Sequence, residues 1–437
     1  MLIEEIRDIV DLTPFIGTPP VAGVRFNPLK ITRERFEALF PVPLTPSPFF
    51  EGGYRLDGEK AGLGNHPLHK GGGCYFQEPS AMSAVTALGV QNGDRVLDLC
   101  AAPGSKATAI AALDPEGIVV CNEIHPARAA ALLSNIERMG VANALVTNTD
   151  AETLAARLPC FFDRILVDSP CSGEGMFRKY PEILEDWTPE LVRACAERSA
   201  GILRAAAKML RTGGRLVYST CTFNAEENEK TVLSFLGEHT EFHAVKSNVP
   251  GAANALFGLD AARIFPGTEG EGHFVCALEK EENAPDLSEK QETFTEKDVP
   301  REVTGMLQGV VRFPITLYGN RPNVIQTFGG AVYAVPKDIP VLRGVRVLRA
   351  GVQIAYCKGR TFLPAHHLFT AAPPEKFLQT VTADDAAAAA YLRGETLPCG
   401  KRGFAAVLWQ GLTLGGGKAS GGVLKNHLPK GLRTLSR

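Results

Sequence analysis

Ten cysteines lie at positions 74, 100, 121, 160, 171, 195, 221, 276, 357 and 399, and no two of them form a C-x-x-C pair. Such spacing suits neither a zinc site nor a disulfide framework, so most should be reduced and packed as small hydrophobes. Two stand in different company. Cys171 lies in DSPCSGEG (168–175) and Cys221 in YSTCTFNAEENE (218–229). Each follows an apolar run that reads as a strand, so one sheet edge would bring them together. A thiolate can add to an electrophilic carbon and leave again near neutral pH if its pKa is lowered, and a helix start from Asn224 onward would help lower it. Carbon 6 of cytosine is such a carbon. Once it carries sulfur, carbon 5 is enamine-like and can attack a sulfonium methyl; loss of the carbon-5 proton then expels the thiolate. A carboxyl group such as Asp168 suits proton donation to ring N3, and a second thiol would help the adduct break down.

The elements that would position these groups alternate. RVLDL (95–99), GIVVCNE (117–123), ALVTNTD (144–150), DRILVD (163–168), RLVYST (215–220) and HFVCALEK (273–280) read as strands. Helices are expected between them: from Ser105, from Pro126 to a stop at Gly140, from a Thr188 cap to Gly213, and from about Ala225 to Leu236. In the third of these, Leu191, Cys195, Ile202, Met209 and Leu210 would form the apolar face. The pattern predicts an α/β fold, a doubly wound and mostly parallel Rossmann-like sheet, whose ligands bind at the carboxyl ends of the strands. Those ends carry DLCAAPGSK (98–106), Glu123, Asp150, Asp168–Cys171 and Ser219–Thr222. The turn Cys100, Ala101, Ala102, Pro103, Gly104, Ser105 and Lys106 would present amides to an anion such as the carboxylate of S-adenosylmethionine. Glu123 is placed for ribose hydroxyls and Asp150 for the adenine amine. A nicotinamide dinucleotide would need G-x-G-x-x-G, which this turn lacks.

At these residues the sequence resembles the RNA cytosine-5 methyltransferases of the NOL1/NOP2/Sun family, and its C-terminal stretch 411–433 resembles that of the bacterial branch that acts on small-subunit rRNA. DLCAAPGSK, VDSPCSGEGMFRK and YSTCTFNAEENE carry the likeness, which covers about residues 20–280. Ser105 and Ser169 stand where relatives often have Gly and Ala. The resemblance implies a class I methyltransferase sheet and S-adenosylmethionine as cofactor, bound by positions 100–106, Glu123, Asp150 and Asp168. It implies Cys221 as nucleophile and Cys171 as the thiol that assists product release. VRFNPLK (24–30) and HKGGGCYFQEPSAM (69–82) resemble an RNA-facing segment, which makes Lys30, Tyr75 and Gln77 candidate substrate contacts. GLTLGGGKASGGVLKNHLPKGLR (411–433) resembles a PUA-like ending; His427 within it reads as a surface or packing residue.

Bulk properties set limits. A net charge of −2 leaves RNA binding to local patches. One such patch runs from Arg393 to Arg437, with eight Lys or Arg against the single acid Glu395. The chain has no run long and apolar enough for a membrane span, and its acidic start does not read as a signal peptide, so a cytoplasmic location is expected. The expected organisation is an N-terminal RNA-contacting α+β region (1–90), the methyltransferase domain (91–280), an exposed acidic linker (281–299), an intermediate C-terminal α+β domain (300–380) and a PUA-like RNA-binding domain (381–437). No metal is expected. A tRNA substrate, a non-catalytic ribosome-assembly factor and a methyltransferase for proteins or small molecules are weaker readings. The last leaves both thiols without work.

Overall fold

The computed structural model describes residues 2–58, 61–284, 290–295, 299–312, 314, 317 and 323–434. Strands β1 (Gly23–Phe26), β2 (Leu44–Pro46), β3 (Gly53–Leu56) and β4 (Cys74–Phe76) form an antiparallel sheet in the order β2-β3-β1-β4. The second sheet is the predicted Rossmann-like one. It contains β5 (Arg95–Asp98), β6 (Ile118–Asn122), β7 (Ala144–Thr147), β8 (Phe162–Asp168), β9 (Leu210–Thr220), β10 (Phe242–Val245), β11 (Ala253–Asn254), β12 (Ala262–Ile264) and β13 (His273–Lys280). Strands β7-β6-β5-β8-β9 run parallel, and β13 closes antiparallel on β9. Strand order reverses at β5, so the crevice above β5 and β8 is the switch point where such sheets bind ligands. Helices α1 (Ser105–Leu113), α2 (Pro126–Met139) and α3 (Pro189–Met209) cross between the strands. The strands are apolar on both faces because helices cover both; Val96, Leu97, Val119, Val120, Ile165 and Leu166 are all buried.

Thr188 caps α3 through the Leu191 amide at 3.1 Å, as the sequence predicts. The helix differs in two respects. It ends at Met209, and Gly213, at φ +66°, lies within β9 beside the register irregularity with β8. Cys195, Met209 and Leu210 are buried as expected, but Leu191 is exposed and Ile202 only half-buried, their places on the buried face being taken by the neighbours Val192 and Leu203 with Ser199 between. Small Ser and Ala side chains on the core-facing side hid the periodicity.

The C-terminal half contains β14 (Asn323–Phe328), β15 (Ala331–Pro336), β16 (Val347–Ala350), β17 (Val352–Lys358) and β18 (Thr361–Pro364). It continues with β19 (Thr380–Ala383), β20 (Leu397–Pro398), β21 (Gly403–Trp409), β22 (Leu412–Ser420) and β23 (Val423–Asn426), together with helices α4 (His366–Ala371) and α5 (Asp385–Arg393). Strand β16 leaves its neighbours and pairs antiparallel with β7, adding an edge strand to the central sheet. Arg349 of β16 pairs with Glu137 of α2 at 2.5 Å, so this region clamps the methyltransferase domain. The linker is less free than expected from its seven acids. Thr293 bridges to Pro340, and Phe294 packs on the central core, while 285–289 and 296–298 lie outside the described residues.

The two ends of the chain share one core. Val24, Phe36, Tyr54 and Leu68 pack with Tyr391, Val407, Trp409 and Leu412 in a single buried cluster. The N-terminal region and the C-terminal five-stranded sheet are therefore one packed lobe. The basic tail belongs to it as far as Arg433; Arg437 lies outside the described residues.

Candidate active site

The turn after β5 leads through Gly104 into α1. Gly104 has φ +106°, a conformation that side chains resist, and a Cβ there would sit 3.2 Å from the Leu132 side chain. Lys106, in the first turn of α1, reaches across the strand ends to Asp168, with Nζ 2.7 Å from Oδ2. Asp168 also accepts from Ser219 Oγ at 2.8 Å, and His273 Nε2 lies 3.6 Å from its Oδ1. Burial opposes ionisation of Asp168. The Lys106 ammonium, helped by His273, overcomes that and holds the carboxyl well below the usual carboxylate range. Burial likewise disfavours the charged Lys106, but Asp168 more than compensates and raises it. In the free site Asp168 is thus an acceptor. To serve as the donor to N3 that the sequence reading expects, it must first take up a proton.

Two acids nearby have open acceptors. Asp98 is fully buried, and beyond a weak contact with the Ala107 amide neither of its oxygens has a hydrogen-bond partner. Burial, with repulsion from Asp168, pushes its carboxyl up to about 7. Glu123 closes β6 and is 2% exposed. Its Oε1 accepts from the His125 amide at 2.9 Å; its Oε2 has only an ion-pair contact with Arg128 at 3.2 Å, without hydrogen-bond geometry. Buried acceptors left open at a strand-end crevice are what a ligand bearing an ammonium and hydroxyls would satisfy. Asp150 is exposed and already occupied: it caps the helix Ala151–Ala155, accepting from the Thr153 amide at 2.8 Å and Thr153 Oγ1 at 2.7 Å, and those bonds lower its pKa. Cys100 faces the same crevice from the turn, and burial pushes its thiol up.

Cys171 and Cys221 end β8 and β9 and meet: their Sγ atoms are 3.3 Å apart. The hydrogen bond with Cys221, together with burial, raises the Cys171 thiol well above its ordinary value. The structure therefore brings together Cys171, Cys221, Asp168, Lys106 and Ser219, with Asp98 and Glu123 along the adjoining strand ends. It does not bring Tyr75 and Gln77 to the surface. The Tyr75 ring lies between the guanidiniums of Arg25 and Arg138, at 5.3 and 5.5 Å. Gln77 is buried and accepts from Arg25 Nε at 3.3 Å. Arg25, 1% exposed, donates to Ser105 O at 2.9 Å, so these residues brace the turn after β5 from the N-terminal region. Lys30 donates to Gly71 O at 3.1 Å, and burial with the neighbouring Arg138 pulls its ammonium down to about 7. His427 packs edge-on against Phe404. Sequence reasoning missed His273, Arg25 and the buried acids Glu174 and Glu227. Of these, only the two acids carried a signal, since both lie inside the cysteine motifs.

The sheet order and the crevice of strand-end acids beside the turn define a Rossmann-fold methyltransferase. Four family models tile the chain: N-terminal domain of 16S rRNA methyltransferase RsmF (residues 2–79), 16S rRNA methyltransferase RsmB/F (85–279), RsmF rRNA methyltransferase first C-terminal domain (314–371) and methyltransferase RsmF PUA domain (378–434). The chain is 31% identical over 439 residues to the ribosomal RNA small subunit methyltransferase F of Vibrio vulnificus, covering 97% of this chain and 93% of that protein. It is 33% identical over 447 residues to the protein of that name in Shewanella piezotolerans, with the same coverage. A methyltransferase homolog protein from Pyrococcus horikoshii superposes with a TM-score of 0.54 at 26% identity, over 60% of this chain and 87% of that one. The chain belongs to the ribosomal RNA small subunit methyltransferase F family and is an RNA methyltransferase. Among the described residues no helix is long and apolar enough to cross a membrane.

Proposed function

We propose that this protein transfers a methyl group from S-adenosylmethionine to carbon 5 of a cytosine in small-subunit rRNA, through a covalent bond between Cys221 Sγ and carbon 6. The observation that carries this reading is the pair of thiols 3.3 Å apart at the strand ends, beside the Lys106–Asp168 ion pair. Bound S-adenosylmethionine supplies a methyl group on a sulfonium. Asp98 and Glu123 have open acceptors for its ammonium and ribose, and the turn from Cys100 to Lys106 supplies amides at the start of α1. Asp150, although occupied as a cap, stands exposed at the next strand end for the adenine. Cys221 attacks carbon 6. Asp168, oriented by Lys106 and Ser219, takes the proton that the Cys221 thiol gives up on attack and passes it to N3, whose basicity rises on sulfur addition. After methyl transfer solvent takes the carbon-5 proton, the Cys221–carbon 6 bond breaks, and the departing thiolate accepts a hydrogen bond from the adjoining protonated Cys171 thiol.

The target base must leave its stack to reach both Cys221 and the crevice, so an unpaired or flipped cytosine is required. The lobe built from the two ends of the chain is the proposed grip on the surrounding RNA, with Lys and Arg of 393–433 meeting phosphates. Bisulfite sequencing of small-subunit rRNA tests the reading. Cells carrying the wild-type gene should show a protected cytosine that disappears on deletion and is not restored by Cys221→Ala. Restoration by Cys221→Ala would refute it.

A further inference from the structure

Beneath the two thiols lies a buried polar network that the chemistry above does not use. Glu174 follows Cys171 and Glu227 follows Cys221, and both are 0% exposed. Each carboxylate reaches into the loop of the other thiol. Glu174 accepts from the amides of Phe223 (2.6 Å) and Asn224 (2.8 Å), from Asn224 Nδ2 (2.8 Å) and from Trp187 Nε1 (2.8 Å). Glu227 accepts from the Ser172 amide (2.9 Å), from Ser172 Oγ (2.5 Å) and from Asn224 Nδ2 (2.7 Å). Asn224 lies between the two acids and returns a bond by accepting from the Glu227 amide at 2.8 Å. A backbone bond from the Gly175 amide to Cys221 O at 2.8 Å closes the arrangement.

Among the described residues these acids face neutral donors only. Two buried carboxylates with no cation against them are a poor way to stabilise a fold; apolar packing of the same volume would be cheaper. What they do provide is geometry, because every oxygen is bound to a donor whose position is set by the opposite loop. We propose that Glu174 and Glu227 form a reciprocal clasp that holds Cys171 in register with Cys221, so that the second thiol is in place when the covalent adduct must be resolved. They are positioning residues: neither reaches the base or the cofactor. The part of this proposal that concerns adduct resolution rests on the function proposed above; the part that concerns thiol spacing does not.

The test separates the two. Dibromobimane fluoresces on bridging two neighbouring thiols, and Cys171→Ala and Cys221→Ala set its background on the full-length protein. Glu227→Gln turns an amide donor toward donors, and the cross-linking rate should fall about tenfold, the scale of one buried donor left unpaired. Ser172→Ala removes only a hydroxyl and should give a smaller fall in the same direction; it decides the matter if Glu227→Gln fails to fold. Affinity for S-adenosylmethionine should stay within about twofold in both variants, since the crevice at Asp98 and Glu123 is untouched. With unmodified RNA, Glu227→Gln should accumulate a covalent protein–RNA adduct as Cys171→Ala does. Wild-type cross-linking rates in both variants would overturn the clasp. Slowed cross-linking without adduct in either Glu227→Gln or Cys171→Ala would uphold the clasp and overturn the role given to Cys171 in product release.

Discussion

Asp98 offers a quantitative test of the cofactor crevice. Its carboxyl is buried, has open acceptors and is pushed up to about 7. At about pH 6.5, a group with that value is protonated in about three-quarters of unliganded molecules. An ammonium placed against it favours the carboxylate, so binding of S-adenosylmethionine should expel that proton, releasing about 0.7 proton per site. The sign follows from linkage. The unliganded form binds more protons than the complex, so affinity should weaken as pH falls below about 7, approaching tenfold per pH unit. Isothermal titration calorimetry in buffers of different ionisation enthalpy reads the proton count directly as a slope. Asp98→Asn should abolish the release and bind the cofactor more weakly at neutral pH, by about tenfold to a hundredfold for one lost charge-assisted bond. A wild-type slope of zero at about pH 6.5, or an unchanged slope in Asp98→Asn, would refute the assignment of Asp98 as the buried acceptor.

Other expectations are as direct. Cys171→Ala should still methylate carbon 5 but remain bound to its RNA, seen as a shifted band on a denaturing gel; free turnover would contradict its role. Lys106→Met removes the partner of Asp168, which is 30% exposed, and should cost about 2 kcal/mol after solvent screening. Because the folded-state value of Asp168 is depressed, the stability it contributes is present above its unfolded value near 3.8 and lost only as pH falls below that. The Lys106→Met deficit in chemical denaturation should therefore be flat from about pH 5 to 6 and widen above about pH 7, where Asp98 loses its proton beside the missing ammonium. Ending the chain after Ala383 strips Tyr391, Val407, Trp409 and Leu412 from the core they share with Val24 and Phe36. Each such loss is worth about 2–5 kcal/mol, so hydrogen exchange should show β1 and β3 losing protection. A protected N-terminal sheet in that truncation would show that the two ends fold apart.

Local chemistry was legible in the sequence, and long-range packing was not. Strand ends and turns announce themselves through residue type, so Cys171, Cys221, Asp168, Lys106 and Glu123 were all placed at one edge by alternation alone. Asp150 was found for the same reason, but its capping bonds to Thr153 turn on a side-chain direction that spacing does not reveal. Tyr75 and Gln77 were candidate substrate contacts through the resemblance of residues 69–82 to an RNA-facing segment; two arginines from different elements instead lie against the tyrosine ring. The joining of β16 to β7, and of residues 24–76 to residues 383–428, depends on contacts hundreds of positions apart. A single chain carries no periodic trace of such contacts. His273 shows the same limit, since it reaches Asp168 only because β13 folds back beside β9.

The central claim is that the sulfur of Cys221, and not its neighbour 3.3 Å away, bonds to the base. RNA containing 5-fluorocytosine cannot lose a proton from carbon 5, so with S-adenosylmethionine it should stall the enzyme as a covalent complex. Protease digestion and mass spectrometry of that complex should find the nucleotide on the peptide containing Cys221. Attachment at Cys171, or no attachment at all, would contradict the account.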